Sequence, residues 1–215
     1  MSNEENGISR RRFLCGLGAG TAGMVLATSA AHGDVQPGAV RPPNFVIIFI
    51  DDLGYQDLGC FGAPLIKTPC LDKMAAEGAK FTSFYAQTVC SPSRAALLTG
   101  CYPQRVGVPR VLFPQDKTGI SADEVLLPQV LKTRGYATAC IGKWHLGHLP
   151  PFLPTRHGFD YYYGLPYSND MEVTKRGDPP LPLMRNEQII EQPAKQDLLT
   201  QRYTQEATAF IREHK

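Results

Sequence analysis

Asn44–Asp52 reads NFVIIFIDD: six consecutive apolar residues, β-branched or aromatic throughout, give way at once to two carboxylates. An apolar run without the period-two alternation of a half-buried strand is the pattern of a strand covered on both faces in a parallel sheet. The sequence therefore predicts a strand over 44–50, with Asp51 and Asp52 at its carboxyl end. Further along, TPCLDKMAAEG (68–78) has an N-cap threonine, a first-turn proline and apolar Leu71, Met74 and Ala75 at helical spacing, so it predicts an amphipathic helix. Lys80–Tyr85 predicts a strand, and CSPSRAALLTG (90–100) a helix. Pro128–Arg134 predicts a short helix closed by Gly135, and Tyr136–Ile141 a second apolar strand running into Gly142, Lys143, Trp144 and His145. The last element, Asp197–Lys215, reads as a helix with Leu198, Leu199, Tyr203, Ala207, Phe210 and Ile211 on one stripe. Strands alternating with helices imply an α/β sandwich with a mostly parallel sheet. Ligands collect at the carboxyl ends of strands in such sheets, which puts Asp51, Asp52, Lys143 and His145 at one rim.

The chain has 215 residues, 43% hydrophobic and 20% charged, enough for one domain or a large part of one. A net charge of +2 does not indicate a nucleic-acid partner, and no stretch has the roughly 18 uninterrupted apolar residues of a stable membrane span. SRRRFL (9–14) resembles the twin-arginine export signal; a weakly apolar Gly- and Ala-rich run follows, with small residues for cleavage around 29–33. Residues 1–33 are thus expected to be a signal peptide read by the twin-arginine (Tat) export machinery, 34–43 a linker, and the mature protein periplasmic or secreted. Cys15 leaves with such a signal, so five of six cysteines remain, and no spacing among them suggests zinc. The pairing of Cys60, Cys70, Cys101 and Cys140 stays open.

The CSPSR segment has a readable local physics. Ser91 suits an N-cap, Pro92 the first helical position and Gly100 a left-handed stop. Cys90 then sits at a helix N-terminus, where free N–H groups and the helix dipole favour an anion, and Arg94 adds a permanent cation one turn on. Taken alone, Cys90 reads equally as a buried thiol or half of a disulfide, the Asp pair as an N-cap and turn, and Lys143 and His145 as surface groups.

Taken together, CSPSR (90–94), the Asp pair within NFVIIFIDDLGYQDLGCFG (44–62) and GKWHLGH (142–148) resemble the signatures of the type I, formylglycine-dependent sulfatases, and among them the arylsulfatase A and N-acetylgalactosamine-6-sulfatase group. The resemblance implies the alkaline-phosphatase-like α/β fold, present here as the N-terminal portion of a catalytic domain over 44–215 and incomplete at the C-terminus. It implies that a maturation enzyme converts Cys90 to formylglycine, whose hydrate is the nucleophile. It implies a divalent cation, calcium with magnesium as the alternative, held by Asp51, Asp52 and the modified Cys90. Arg94 and Lys143 then face the nucleophile and the sulfate oxygens, and His145 takes a proton as the covalent intermediate breaks down. Ser168, in PYSND, supports the aldehyde diol. The substrate is a sulfated carbohydrate or an aryl sulfate. The family's further Asp and Asn metal ligands, a histidine and a second lysine have no counterpart before Lys215, so the chain alone is expected to have little or no activity. The competing readings are a formylglycine-dependent phosphonate monoester hydrolase or phosphodiesterase, and an inactive exported remnant of the fold. Outside the site, Asp57 is expected to cap, Trp144 to pack, His148 to lie at the surface and His157 to be structural. Tyr161, Tyr162, Tyr163 and Tyr167 either line a sugar subsite or form a packed cluster.

Overall fold

The structure, a computed structural model, describes residues 41–172 and 177–215. The signal peptide and most of the linker read from the sequence lie outside the described residues.

Four strands form one sheet in the order β1-β2-β3-β4: β1 (Ala139–Ile141), β2 (Tyr161–Gly164), β3 (Leu183–Arg185) and β4 (Gln188–Glu191). β1 pairs with β2 in parallel, Cys140 opposite Tyr162, while β2, β3 and β4 run antiparallel. The sheet is thus mixed, and parallel pairing is confined to its first two strands. The α-helices are α1 (Pro69–Glu77), α2 (Cys90–Thr99), α3 (Leu127–Lys132) and α4 (Leu199–His214). No helix among the described residues is long and apolar enough to cross a membrane.

The helices follow their signals closely. Thr68 precedes Pro69 at the start of α1, but its hydroxyl does not cap the helix: it donates to Asp72 Oδ1 at 2.9 Å. The same carboxylate oxygen accepts the Cys60 N–H at 2.7 Å and ties α1 to the preceding turn. Gly100 ends α2 with φ +68°, and Gly135 follows α3 with φ +79°, both in the left-handed region that glycine adopts without a Cβ penalty. Asp57 accepts the Gly54 N–H at 2.7 Å, in the capping role expected of it.

Two expected strands are absent. Residues 44–50 take no part in the sheet, and their six apolar side chains are 36% to 66% exposed; Lys80–Tyr85 is likewise irregular and exposed. The physical reason is that a strand is made by its neighbours. Backbone N–H and C=O groups need ladder partners, β1 is paired only with β2, and neither segment forms a ladder with any described residue. Apolar, β-branched composition reports the wish to be covered; the covering itself is a matter of tertiary context.

One core cluster, with Trp144, Leu146, Leu153 and Tyr162 at 2% exposure or less, lies under the segments that follow β1. A second joins Tyr163, Leu165, Tyr167 and Leu199, with Tyr203 packed against it. Burying each of the large side chains contributes about 1.5–3 kcal/mol. Of the four tyrosines singled out in the sequence, Tyr162, Tyr163 and Tyr167 are buried in these clusters and Tyr161 is half-buried beside them. Tyr162 is fully buried, Tyr163 meets Tyr203 edge-on, and Tyr161 stacks on Phe210 of α4. Trp144 and His157 are buried side by side, as structural residues, while His148 meets Tyr167 edge-on.

Candidate active site

The site begins where the chain leaves β1. Gly142, at φ +111°, donates its N–H to the Tyr163 carbonyl at 2.8 Å. It passes so close to Gly164 that a Cβ built on Gly164 would lie 1.8 Å from the Gly142 oxygen. Two facing glycines let the chains run in step beyond the strand: the Trp144 N–H reaches the Leu165 carbonyl at 2.9 Å, and the His145 N–H the Pro166 carbonyl at 3.1 Å. Trp144 turns into the core, its indole N–H held by the Phe152 carbonyl at 2.8 Å. With Trp144 anchored inward, Lys143 projects the other way. His145 adopts φ +59°, an uncommon backbone state for a non-glycine residue and one that concentrates at functional sites.

Lys143 Nζ donates to Asp51 Oδ2 at 2.6 Å and to Ser168 Oγ at 3.0 Å. Arg94, from the first turns of α2, donates to the same Asp51 oxygen at 3.1 Å and to the Lys143 carbonyl at 2.5 Å. Its guanidinium also lies over the Phe49 ring, 5.3 Å from the centroid. The structure thus brings Asp51, Arg94, Lys143 and Ser168 into one hydrogen-bonded group, gathered from four separated stretches of sequence. Partial burial alone would raise the Asp51 pKa; the hydrogen bonds and charges of Lys143 and then Arg94 outweigh it and hold the carboxyl below its usual range.

The remaining predicted residues sit around this group. His145 is fully buried, and burial, then the Lys143 charge, push its pKa down to about 4 against the opposing Leu112 hydrogen bond. Cys90 opens α2 as a half-buried free thiol one turn from Arg94. All five described cysteines are free. Ser91 is not the N-cap of α2: that position falls to Val89, and Ser91 Oγ instead accepts the Leu112 N–H at 3.2 Å. The cap prediction failed because the helix starts two residues earlier than the proline signal suggests, which leaves the serine buried within the first turn. Phe49, the Leu112 carbonyl and this inward role of Ser91 were invisible in the sequence. A main-chain carbonyl carries no residue signature, and the Phe49 contact depends on a long-range approach.

Asp51 and Asp52 are hard oxygen donors, right in kind for calcium or magnesium. They are not sufficient in number. Among the described residues no group of three or more His, Cys, Asp or Glu is placed to hold an ion, and Asp51 Oδ2 is already shared by two cations.

Two cations and one carboxylate gather at the end of a parallel strand, beside a helix that opens on a cysteine, in an α/β protein. Residues 43–215 match the Sulfatase family, and the chain belongs to it. It is 42% identical to N-acetylgalactosamine-6-sulfatase of Sus scrofa over 217 residues, covering 93% of this chain and 42% of that protein. It is 46% identical to human arylsulfatase A over 173 residues, covering 71% of this chain and 34% of the other. The PsFucS1 sulfatase from Pseudoalteromonas sp. superposes with a TM-score of 0.66 at 33% identity, over 76% of this chain and 39% of that one. The fold is accordingly the alkaline-phosphatase-like α/β fold of the sulfatases, and the chain spans about two fifths of the length of the curated relatives it matches.

Proposed function

We propose that this site serves the hydrolysis of sulfate esters, with Cys90 as the precursor of a formylglycine whose hydrate supplies the nucleophilic hydroxyl. The observation that carries the reading is the Asp51–Lys143–Arg94–Ser168 group at the end of β1, beside the helix that Cys90 opens. Lys143 and Arg94 place two cations where negative charge builds on a transferring sulfuryl group, a preorganised arrangement that needs no reorientation during reaction. Ser168 accepts a hydrogen bond from the Lys143 ammonium, and in this reading its hydroxyl supports the aldehyde diol. His145, neutral at pH 7 with its pKa near 4, is in the form that accepts a proton. Asp51 and Asp52 would be two of the oxygen ligands of a calcium ion, magnesium being the alternative, with further ligands needed from elsewhere.

A sulfated carbohydrate is the proposed substrate class, supported by the similarity to N-acetylgalactosamine-6-sulfatase, with aryl sulfates as the simpler surrogate. The protein's partners are then the maturation enzyme that oxidises Cys90 and, from the Ser9–Leu14 motif, the Tat machinery that exports it. The test is the mass of the Cys90 peptide after expression in a host with that maturation enzyme. A loss of about 18 Da, thiol replaced by aldehyde, is the expected result. An unmodified thiol there would overturn the reading.

A further inference from the structure

Ser91, Leu112 and His145 form a buried chain of two hydrogen bonds. Ser91 Oγ accepts the Leu112 N–H at 3.2 Å, and the Leu112 carbonyl contacts His145 Nε2 at 2.7 Å. Ser91 and His145 are fully buried and Leu112 is 6% exposed, so water does not compete for these groups. A carbonyl oxygen only accepts, so at this contact Nε2 must donate. In the neutral imidazole the lone pair is then on Nδ1, and that atom is buried with no hydrogen-bond partner among the described residues. The opposite tautomer would set the Nε2 lone pair against the Leu112 oxygen and leave an Nδ1–H buried without an acceptor, so it is disfavoured.

We infer that Ser91 is a positioning residue: by holding the Leu112 main chain, whose carbonyl faces His145, it fixes the tautomer of His145 with hydrogen on Nε2 and the lone pair on Nδ1. The inference rests on the reading of His145 as the site's proton acceptor. Two further observations make the chain of bonds effective. The His145 backbone is held in its left-handed conformation by its own N–H bond to the Pro166 carbonyl, so the ring has little freedom to re-aim. Ser91 is one residue from Cys90, so the residue proposed as nucleophile precursor and the control of the base share the first turn of α2.

The experiment reads proton position directly, in the resting chain. Long-range proton–nitrogen correlation spectra of the full chain labelled with nitrogen-15, with His145→Gln to assign the ring, report which nitrogen carries hydrogen. The expected wild-type pattern is a protonated-type signal for Nε2 and an unprotonated-type signal for Nδ1. In Ser91→Ala the Leu112 N–H loses its acceptor, the carbonyl is no longer held, and the two signals move toward each other; Ser91→Thr, which keeps the hydroxyl, restores the separation. Trp144 fluorescence verifies that each variant is folded. A wild-type Nδ1–H overturns the inference even if Ser91→Ala does not fold, and so does a folded Ser91→Ala with unchanged His145 signals. Because no turnover is measured, failure here is distinct from failure of the hydrolase reading, which the Cys90 peptide mass decides.

Discussion

Lowering the pH from 7 to 5 should cost this chain stability through His145 in particular. The folded pKa is about 4 against 6.5 for the free side chain, so the unfolded chain binds the proton more readily throughout that window. Stability therefore rises with pH between about 4 and 6.5, is fully present above that range, and is lost as pH falls through it. Integrating the difference in proton binding between those two pKa values gives a destabilisation of roughly 2 kcal/mol at pH 5 and roughly 0.2 kcal/mol at pH 7. In urea titrations a change of that size moves the midpoint by about 1 M for a slope near 2 kcal/mol/M. His157 and His148 are also shifted down by burial, so the wild-type trend alone does not isolate one ring. The comparison is the difference between wild type and His145→Gln, measured at both pH values; Gln keeps an N–H donor for the Leu112 carbonyl. That difference should shrink by roughly 2 kcal/mol on going from pH 7 to pH 5. A difference that stays constant between the two pH values would refute the claim that His145 is held neutral by burial and by the neighbouring cations.

Tyr162→Phe should stabilise the fold. The Tyr162 hydroxyl is fully buried with no hydrogen-bond partner among the described residues, and removing it relieves a desolvation penalty of about 1 kcal/mol, or roughly 2–4 °C in Tm for a chain of this size. A lower Tm would show that the hydroxyl has a partner. Gly164→Ala should do the reverse, because its Cβ would collide with the Gly142 backbone; a loss of about 3 kcal/mol or more is expected in denaturant melts. A near-neutral result would mean that β2 and the Gly142 turn do not approach as described.

What the sequence carried best were local signals. Pro69 with Thr68, Gly100 and Gly135 marked helix limits to within a residue or two because caps and left-handed glycines are decided by the nearest few residues. Asp51, Arg94 and Lys143 were singled out by their motifs and the structure brings their side chains together, and the placement of Lys143 and His145 just past a strand was right for a physical reason, the exit from β1. Residues 44–50 were not legible as an unpaired segment, since the same apolar run describes a covered strand and one awaiting cover. Ser91 was misplaced for a related reason. A serine before a proline reads as a cap on local grounds, and only the return of Leu112, 21 residues later, turns its hydroxyl inward. Antiparallel pairing of β3 with β2 and β4 was equally hidden, because these strands are three or four residues long, too short to show a period.

The uncovered run before Asp51 also bears on how this chain behaves in bulk. Phe45 to Ile50 is uncharged, rich in β-branched side chains and solvent-facing, the composition that stacks copies of a segment edge to edge. Only the prolines before it and the aspartates after it act as gatekeepers against that stacking. Self-association should therefore set in as protein concentration rises, a trend that light scattering across a concentration series would read, directly beside the Asp51 pairs with Lys143 and Arg94. Colloidal stability and the integrity of the charge cluster are controlled by the same nine residues.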